Sequence, residues 1–415
     1  MKKILALLLA LVMALALVAC GGSNTPTPTP DNTPDNQQQE EQNPETPVKI
    51  GVVLVGDENE GYTYAHIEGI RKAAEACGLT DDNIVWNYNI PENEECYDKC
   101  IECVNKGCTL VITNSYSHQT YTQQAAEEHP EVEFVAMTGD QAMKSELPNF
   151  HNAFNMTFES RYVSGIVAGM KLKELMDEGK VTDPYIGYVG AFPYAEVVSG
   201  FTGFFLGIRS IVPEAHMDVQ YTNSWFDIQE EGKAAEALMA RGCVIIGQHA
   251  DSTGAPKAVQ TAKDNGAVVY SVGYNIDMLA AAPTAALTSS TNDWSVYYTY
   301  LFSTFLKGEK IATDWAKGYD EGAVGITPLG PEVAEGTAEA VAAAEEAIKN
   351  GTLHVFDIET FTVKGEKVTS AMTFDSDGDW VNDTNEGIVD GYYHESEYIS
   401  APSFGMIIDG ITPLN

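Results

Sequence analysis

Residues 244–278, VIIGQHADSTGAPKAVQTAKDNGAVVYSVGYNIDM, decide the fold. Residues 244–248 form an apolar strand run, 249–256 a polar turn, 257–265 a helix and 268–272 a second strand. In this order they make a βαβ unit, whose two strands lie parallel through a right-handed crossover. Both strands end in polar turns, His249-Ala250-Asp251-Ser252 and Gly273-Tyr274-Asn275. Open parallel sheets bind ligands outside the carboxyl ends of their strands, so these turns mark a site.

The same cadence runs outward from this unit. Upstream, strands are expected at 185–189 and 216–221 and helices at 197–208 and 228–241. Earlier still, strands at 48–55, 83–88, 108–113 and 132–137 alternate with helices from near Tyr62, over the cysteine-bearing segment and over 119–128. Two runs of alternating β and α therefore cover 48–155 and 184–283, each the size of a Rossmann-like lobe. A long helix over 158–176 joins them. Downstream, an aromatic-rich helix follows Thr288, an Ala/Glu-rich helix covers 332–350, and 353–361 reads as a strand.

The 415 residues suit two lobes plus tails. With 23 Lys+Arg against 60 Asp+Glu the chain lacks the basic footprint that nucleic acid requires. Lys2-Lys3 and the apolar run 4–18 read as a signal peptide ending in Leu17-Val18-Ala19-Cys20, which looks like a lipobox with Cys20 as the lipidated residue. Residues 21–46 are rich in Pro, Thr and Gln, cannot bury a core, and read as a tether.

Two readings compete for Cys96, Cys100, Cys103 and Cys108. Cys100-x-x-Cys103 fits a metal or iron–sulfur site. Cys96, Cys100 and Cys103 also fall at i, i+4 and i+7, the apolar stripe of a helix, where free cysteine packs as a small hydrophobe; the second reading is preferred, and a disulfide stays open. Near the end of the chain, Asp375, Asp377, Asp379, Asp383 and Glu386 occupy positions 1, 3, 5, 9 and 12 of an EF-hand-like loop. Trp380 replaces the glycine that position 6 requires. This is the one cofactor expectation, a structural calcium outside the ligand cleft, against the plainer reading of an acidic turn.

Read together, GYTYAH, FESRYVSGIVAG, YIGYVGAFPYAEVVSGFTGFFLGIRSIVPEA, YTNSWFD, GQHADS and GYNIDM resemble, in order and spacing, the basic membrane protein family. These are substrate-binding lipoproteins of ABC importers and include purine-nucleoside receptors. The resemblance covers about 48–360. It implies a type I periplasmic-binding-protein fold: two Rossmann-like lobes with parallel sheets, joined by hinge crossovers and closing on a small molecule. Lobe 1 is then 47–157 plus about 284–325, lobe 2 is 158–283 plus about 326–361, and 362–415 is a C-terminal extension. The implied partners are a permease, its ATPase and the membrane through Cys20, and the receptor is expected to be a monomer.

The resemblance is closest to a subgroup associated with purine bases, adenine in particular. Nucleoside receptors of the family hold ribose with an Asp and a Lys. Here Asn275 stands at the Asp position, and no Lys follows Thr288, which favours a nucleobase over a nucleoside. A flat heteroaromatic base needs π faces and in-plane hydrogen-bonding groups. Tyr62, Tyr116 and Trp225 are the candidate faces. Asn114, Ser115, Asp227, His249, Asp251, Ser252, Gly273 and Asn275 are the candidate edge readers, with helix capping as the competing role for Asp227 and Ser252. His66 reads as structural, and Glu159 and Arg161 are expected to pair at the hinge. The chain contains no G-x-S-x-G, P-loop, G-x-G-x-x-G or H-E-x-x-H, so no enzyme reading has support. The remaining alternative is a ligand-sensing surface lipoprotein of the same fold with a non-purine ligand.

Overall fold

The computed structural model describes residues 48–373 and 385–415. Cys20, the segments 1–20 and 21–46, and Asp375, Asp377, Asp379 and Asp383 lie outside them. The chain opens with β1 (Ile50–Val53), α1 (Gly61–Ala76), β2 (Ile84–Asn87), α2 (Glu94–Asn105), β3 (Leu110–Thr113), α3 (His118–Glu128), β4 (Glu133–Met137), the short α4 (Ala142–Ser145) and β5 (Phe150–Ala153). It continues with α5 (Thr157–Asp177), β6 (Tyr185–Gly190), α6 (Ala195–Arg209), β7 (His216–Tyr221), α7 (Ile228–Ala240), β8 (Ile245–Gln248), α8 (Gly254–Asp264), β9 (Tyr270–Tyr274) and β10 (Ala286–Asn292). Then follow α9 (Trp294–Leu306), β11 (Asp314–Trp315), β12 (Val324–Ile326), α10 (Thr337–Lys349), β13 (Ile388–Val389), β14 (Tyr392–Tyr393) and β15 (Ile411–Pro413).

These strands build two large sheets. The first has the order β11-β5-β4-β3-β1-β2 and is parallel throughout. The second runs β12-β10-β9-β8-β6-β7-β15, parallel except where β12 meets β10. The chain passes between the sheets three times, from β5 into α5, from β10 into α9 and from β11 to β12. Strands buried on both faces explain the unbroken apolar runs of β1, β3, β4 and β8, since parallel sheets carry helices on each side.

The cysteine stripe packs as helical spacing predicts. Cys96, Cys100 and Cys103 are fully buried, and with Cys108 they join Val53, Val111 and Phe134 in one core of lobe 1. All six described cysteines are free thiols. On the other face of that sheet α1 and α9 pack together, and His66 stacks on Trp294 with ring centroids 4.3 Å apart and shares a hydrogen with the Tyr298 hydroxyl at 2.6 Å. Burial drops the His66 imidazole to a pKa of about 3, so it stays neutral, as a structural histidine should.

Several expected boundaries differ from the structure. β10 and β12 belong to the second sheet, so the expected assignment of 284–325 to lobe 1 departs at both its ends. The sequence of β10, ALTSSTN, is small and polar and gives no strand signal of its own. Residues 353–361 form turns rather than a strand: Phe356 and Phe361 enter the core singly, and only Asp357 makes a bridge, to Tyr392. The Ala/Glu-rich helix begins at Thr337, after Gly336 in a left-handed conformation, and α8 begins at Gly254, with Pro256 in its first turn where a missing N–H costs nothing. The extension, finally, is built into lobe 2. β15 lengthens the sheet beside β7, and Phe404 stacks on Phe356 at 4.3 Å. The same extension also reaches lobe 1, where the Ser400 hydroxyl donates to Asp314 of β11 at 2.6 Å.

Candidate functional site

A cavity of about 390 Å³ lies between the lobes, at the carboxyl ends of both sheets. That volume falls within the roughly 300–1,000 Å³ of small-molecule sites. Lobe 1 lines it with the turn after β1, Tyr62 at the start of α1, Ser115 and Tyr116 after β3, and Thr138 after β4. Lobe 2 contributes Glu196 from the first turn of α6, Trp225 and Phe226 after β7, His249 and Asp251 after β8, and Tyr274 at the end of β9.

Aromatic rings stand on both sides of this space. The Tyr62 hydroxyl donates to the Asn114 carbonyl, and its ring meets His66 edge-on at 4.5 Å. Tyr116 donates to Asp140 at 3.3 Å and lies 6.1 Å from Tyr194 of the opposite lobe. Trp225 packs edge-on against Phe192 at 5.1 Å, and its carbonyl accepts from the Asp251 N–H at 2.8 Å. Tyr274 lies 4.9 Å from the His249 ring.

Four carboxyls line the same cavity, Asp57 at its rim and three others, Glu60, Glu196 and Asp251, that burial raises. Glu60 caps α1, accepting from the N–H groups of Tyr62 and Thr63 at 3.0 and 2.9 Å. Glu196 lies 3.3 Å from His249 Nε2. Asp251, 7% exposed, accepts from the Asn275 amide at 2.6 Å. Burial raises all three: Glu60 upward, Glu196 to about 7, and Asp251 well above the usual carboxylate range, with the charges of Glu60 and Glu231 adding to the last. Burial also drives His249 far down, so it is neutral. The cavity thus presents flat apolar walls and carboxyls raised above their ordinary range by burial; such a group accepts from ligand N–H groups when ionised and donates to ring nitrogens when neutral.

Of the residues expected at the site, Tyr62, Ser115, Tyr116, Trp225, His249 and Asp251 line the cavity. The other five stand behind it. Asn114 is engaged within lobe 1, accepting from the Val55 N–H at 2.8 Å and donating to the Thr63 hydroxyl at 3.3 Å. Asp227 caps α7 through the N–H groups of Gln229 and Glu230, both at 3.0 Å. Ser252 caps locally, accepting from Gly254 N–H at 3.0 Å, while its own N–H is held by Glu231. Gly273 sits where a Cβ would come within 2.4 Å of Met278 and Ser289. Asn275, at φ +63°, backs Asp251. Nor do Glu159 and Arg161 pair: Glu159 accepts from the Tyr319 N–H at 2.7 Å, and Arg161 donates to the Gln248 carbonyl at 2.6 Å.

Sequence reasoning passed over Glu60, Glu196, Phe226 and Tyr274. Glu60 was legible as the acidic residue before a helix, and Tyr274 lay within a quoted turn. Glu196 carried no signal, because only the approach of α6 brings it to the cleft. For Glu386, the one described member of the acidic loop, the carboxylate accepts from the Ser370 hydroxyl and the N–H groups of Ala371 and Ile388.

Two α/β lobes joined by three crossovers and enclosing a cavity form the fold that solved ABC solute-binding proteins share. Residues 48–359 match the PnrA-like ABC transporter substrate-binding proteins, and the chain belongs to this Bmp family. It is similar to a purine-binding protein of Brucella abortus, 30% identical over 75% of this chain and 84% of that one. It is also similar to a candidate glucose-binding ABC transporter protein of Haloferax volcanii, 32% identical over 60% of this chain and 59% of that one. A solved ABC solute-binding protein from Aeropyrum pernix shares the fold with a TM-score of 0.64 at 16% identity, over 75% of this chain and 93% of that one. The chain is therefore a substrate-binding protein and not an enzyme, extracytoplasmic and membrane-associated as its family is. Among the described residues no helix is long and apolar enough to cross a membrane.

Proposed function

We propose that the interlobe cavity binds a purine, a nucleobase such as adenine in preference to a nucleoside, for delivery to an ABC permease and its ATPase. The observation that carries this reading is the pairing of aromatic walls from both lobes with the carboxyls Glu60, Glu196 and Asp251 on one small cavity. Stacking serves the faces of a base, and a carboxyl that is ionised or neutral serves the mixed donor and acceptor edge of adenine. Asn275 is engaged with Asp251, and Asn292 stands on the hinge strand with no lysine beside it, so neither of the family's ribose-holding charges is present. Delivery is by closure of the lobes about the crossovers. Cys20, as a lipid anchor behind the tether 21–46, holds the receptor at the membrane.

Isothermal titration with adenine, guanine, hypoxanthine, adenosine and glucose tests this reading. Heat with adenine and none with glucose supports it. Heat with glucose alone would replace the purine by a sugar.

A further inference from the structure

Arg161 reaches from the second turn of α5 to the base of lobe 2 and is 2% exposed. Its guanidinium carbon stands 3.7 Å from the centroid of the Tyr274 ring. Nη1 donates to the Gln248 carbonyl at 2.6 Å, while Nε and Nη2 have no hydrogen-bond partner among the described residues. Arginine ion pairs among those residues belong to Arg71 and Arg241, not to Arg161. A buried charge without a partner is costly, and this one adjoins the two strand ends that carry the ligand cavity. Gln248 ends β8 and leads directly into His249 and Asp251, and Tyr274 ends β9. Helix α6 closes over the same group so tightly that a Cβ at Gly200 would fall 2.7 Å from His249 Nδ1 and 3.5 Å from Arg161 Nε.

We propose that Arg161 is a positioning residue of the ligand site: its guanidinium ties the end of β8 to that of β9, fixes the Tyr274 ring as a wall, and supplies the positive charge that the cavity's own lining lacks. The described lining residues include Glu60, Glu196 and Asp251 but no lysine or arginine. Geometry and electrostatics agree on this role. A cation over an aromatic face is held by the ring quadrupole, most strongly where water is excluded. The same charge opposes the burial-driven rise of Glu196 and of Asp251. Glu196 is otherwise faced by Glu92 from the segment before α2, by neutral His249 and by Asp251 from the turn after β8, by Glu60 at the cap of α1, and by Tyr62, Tyr116 and Tyr274. Arg161 is the member of this group that favours an ionised carboxylate able to accept from a ligand N–H. The proposal rests on the purine reading only for its probe, adenine.

The test compares R161K and R161M with the unaltered protein in the intact chain. Two readouts are taken: adenine affinity from pH 5.5 to 8.5, and the Glu196 carboxyl titration followed by carbon NMR without ligand. In R161M the Glu196 midpoint is expected to move upward by about one pH unit, and adenine affinity at pH 7 to fall by about tenfold. R161K keeps the charge but not the planar stack, so its midpoint stays near that of the unaltered protein while affinity falls. Should R161M not fold, R161Q removes the charge and retains a donor for Gln248. An unchanged Glu196 midpoint in the folded, uncharged variant overturns the proposal, as does unchanged adenine affinity. If the unaltered protein does not bind adenine, the ligand reading fails, and the Glu196 titration still decides for or against Arg161.

Discussion

The Asn275 amide donates to Asp251 Oδ1 across 2.6 Å, between the turns that end β9 and β8, and both residues are buried. Asn275 adopts φ +63°, a left-handed conformation that asparagine tolerates better than most residues. Its backbone N–H meanwhile pairs with the Ser290 carbonyl on the hinge strand at 2.9 Å. One residue thus couples the hinge to a cavity carboxyl. Replacing Asn275 by Ala removes the partner of a buried acceptor and is expected to cost about 1–3 kcal/mol in stability, with a fall in ligand affinity. N275D places a second carboxyl beside Asp251 and should weaken adenine further at pH 8 than at pH 6, because two carboxylates in contact cannot both ionise. Titration at the two pH values checks the difference.

The aromatic walls make their own prediction. Base–aromatic stacking is worth about 1–3 kcal/mol by alanine substitution. Tyr62→Ala and Trp225→Ala are each expected to weaken adenine by roughly 5- to 150-fold. Phe226 lines the same cavity yet is 38% exposed, so F226A should fall at the low end of that range. Equilibrium binding on the three variants tests the order.

Burial of carboxyls sets the pH dependence of folding. Glu159, Glu196, Glu231 and Glu395 are each pushed up to about 7 by burial, and Asp314 to about 6. Ordinary carboxyls titrate near 4, so around neutrality the folded chain holds protons that the unfolded chain has released. The stability they contribute is complete below the unfolded pKa and is lost as pH rises through about 7. His66, His118 and His249 are held neutral by burial and act oppositely, but only below about 6.5, where the unfolded chain binds protons. The unfolding midpoint should therefore drop by several degrees between pH 6.5 and 8.5, as calorimetry at the two values would register. A flat or rising midpoint would show that these carboxyls are not buried in the folded protein.

The extension beyond the family match is expected to be integral to lobe 2. Phe404 is fully buried, stacks on Phe356 and meets Phe361 edge-on, while Glu395 receives the Ser199 hydroxyl of α6 at 2.7 Å. Phe404→Ala should cost about 3–5 kcal/mol, measured by urea unfolding. A loss below about 1 kcal/mol would mark the extension as peripheral.

The alternating lobes were legible because doubly covered parallel strands are written as unbroken apolar runs between glycine-bearing turns, as at β1, β6 and β8. β10 was not, since Thr288, the Ser289 N–H and Ser290 meet long-range partners, Thr327 and Ser160, which no local pattern announces. At the site, turn position sufficed to locate Tyr62, Tyr116, Trp225, His249 and Asp251. It could not separate them from Asn114, Asp227 and Ser252, whose identical chemistry is spent on capping and backbone support. Arg161 was visible as a charge in an apolar helix, but its contacts with Gln248 and Tyr274 depend on how α5 lies across the second sheet.

The most direct measurement is thermal unfolding of the protein with adenine, guanine, hypoxanthine and the corresponding nucleosides. A ligand that binds only the folded state raises the midpoint, by about 2.7 kcal/mol of stability at one hundred times its Kd. The account predicts a rise with a purine base, adenine foremost, and a smaller rise or none with its nucleoside. A larger rise with nucleosides, or no rise with any of them, would contradict it.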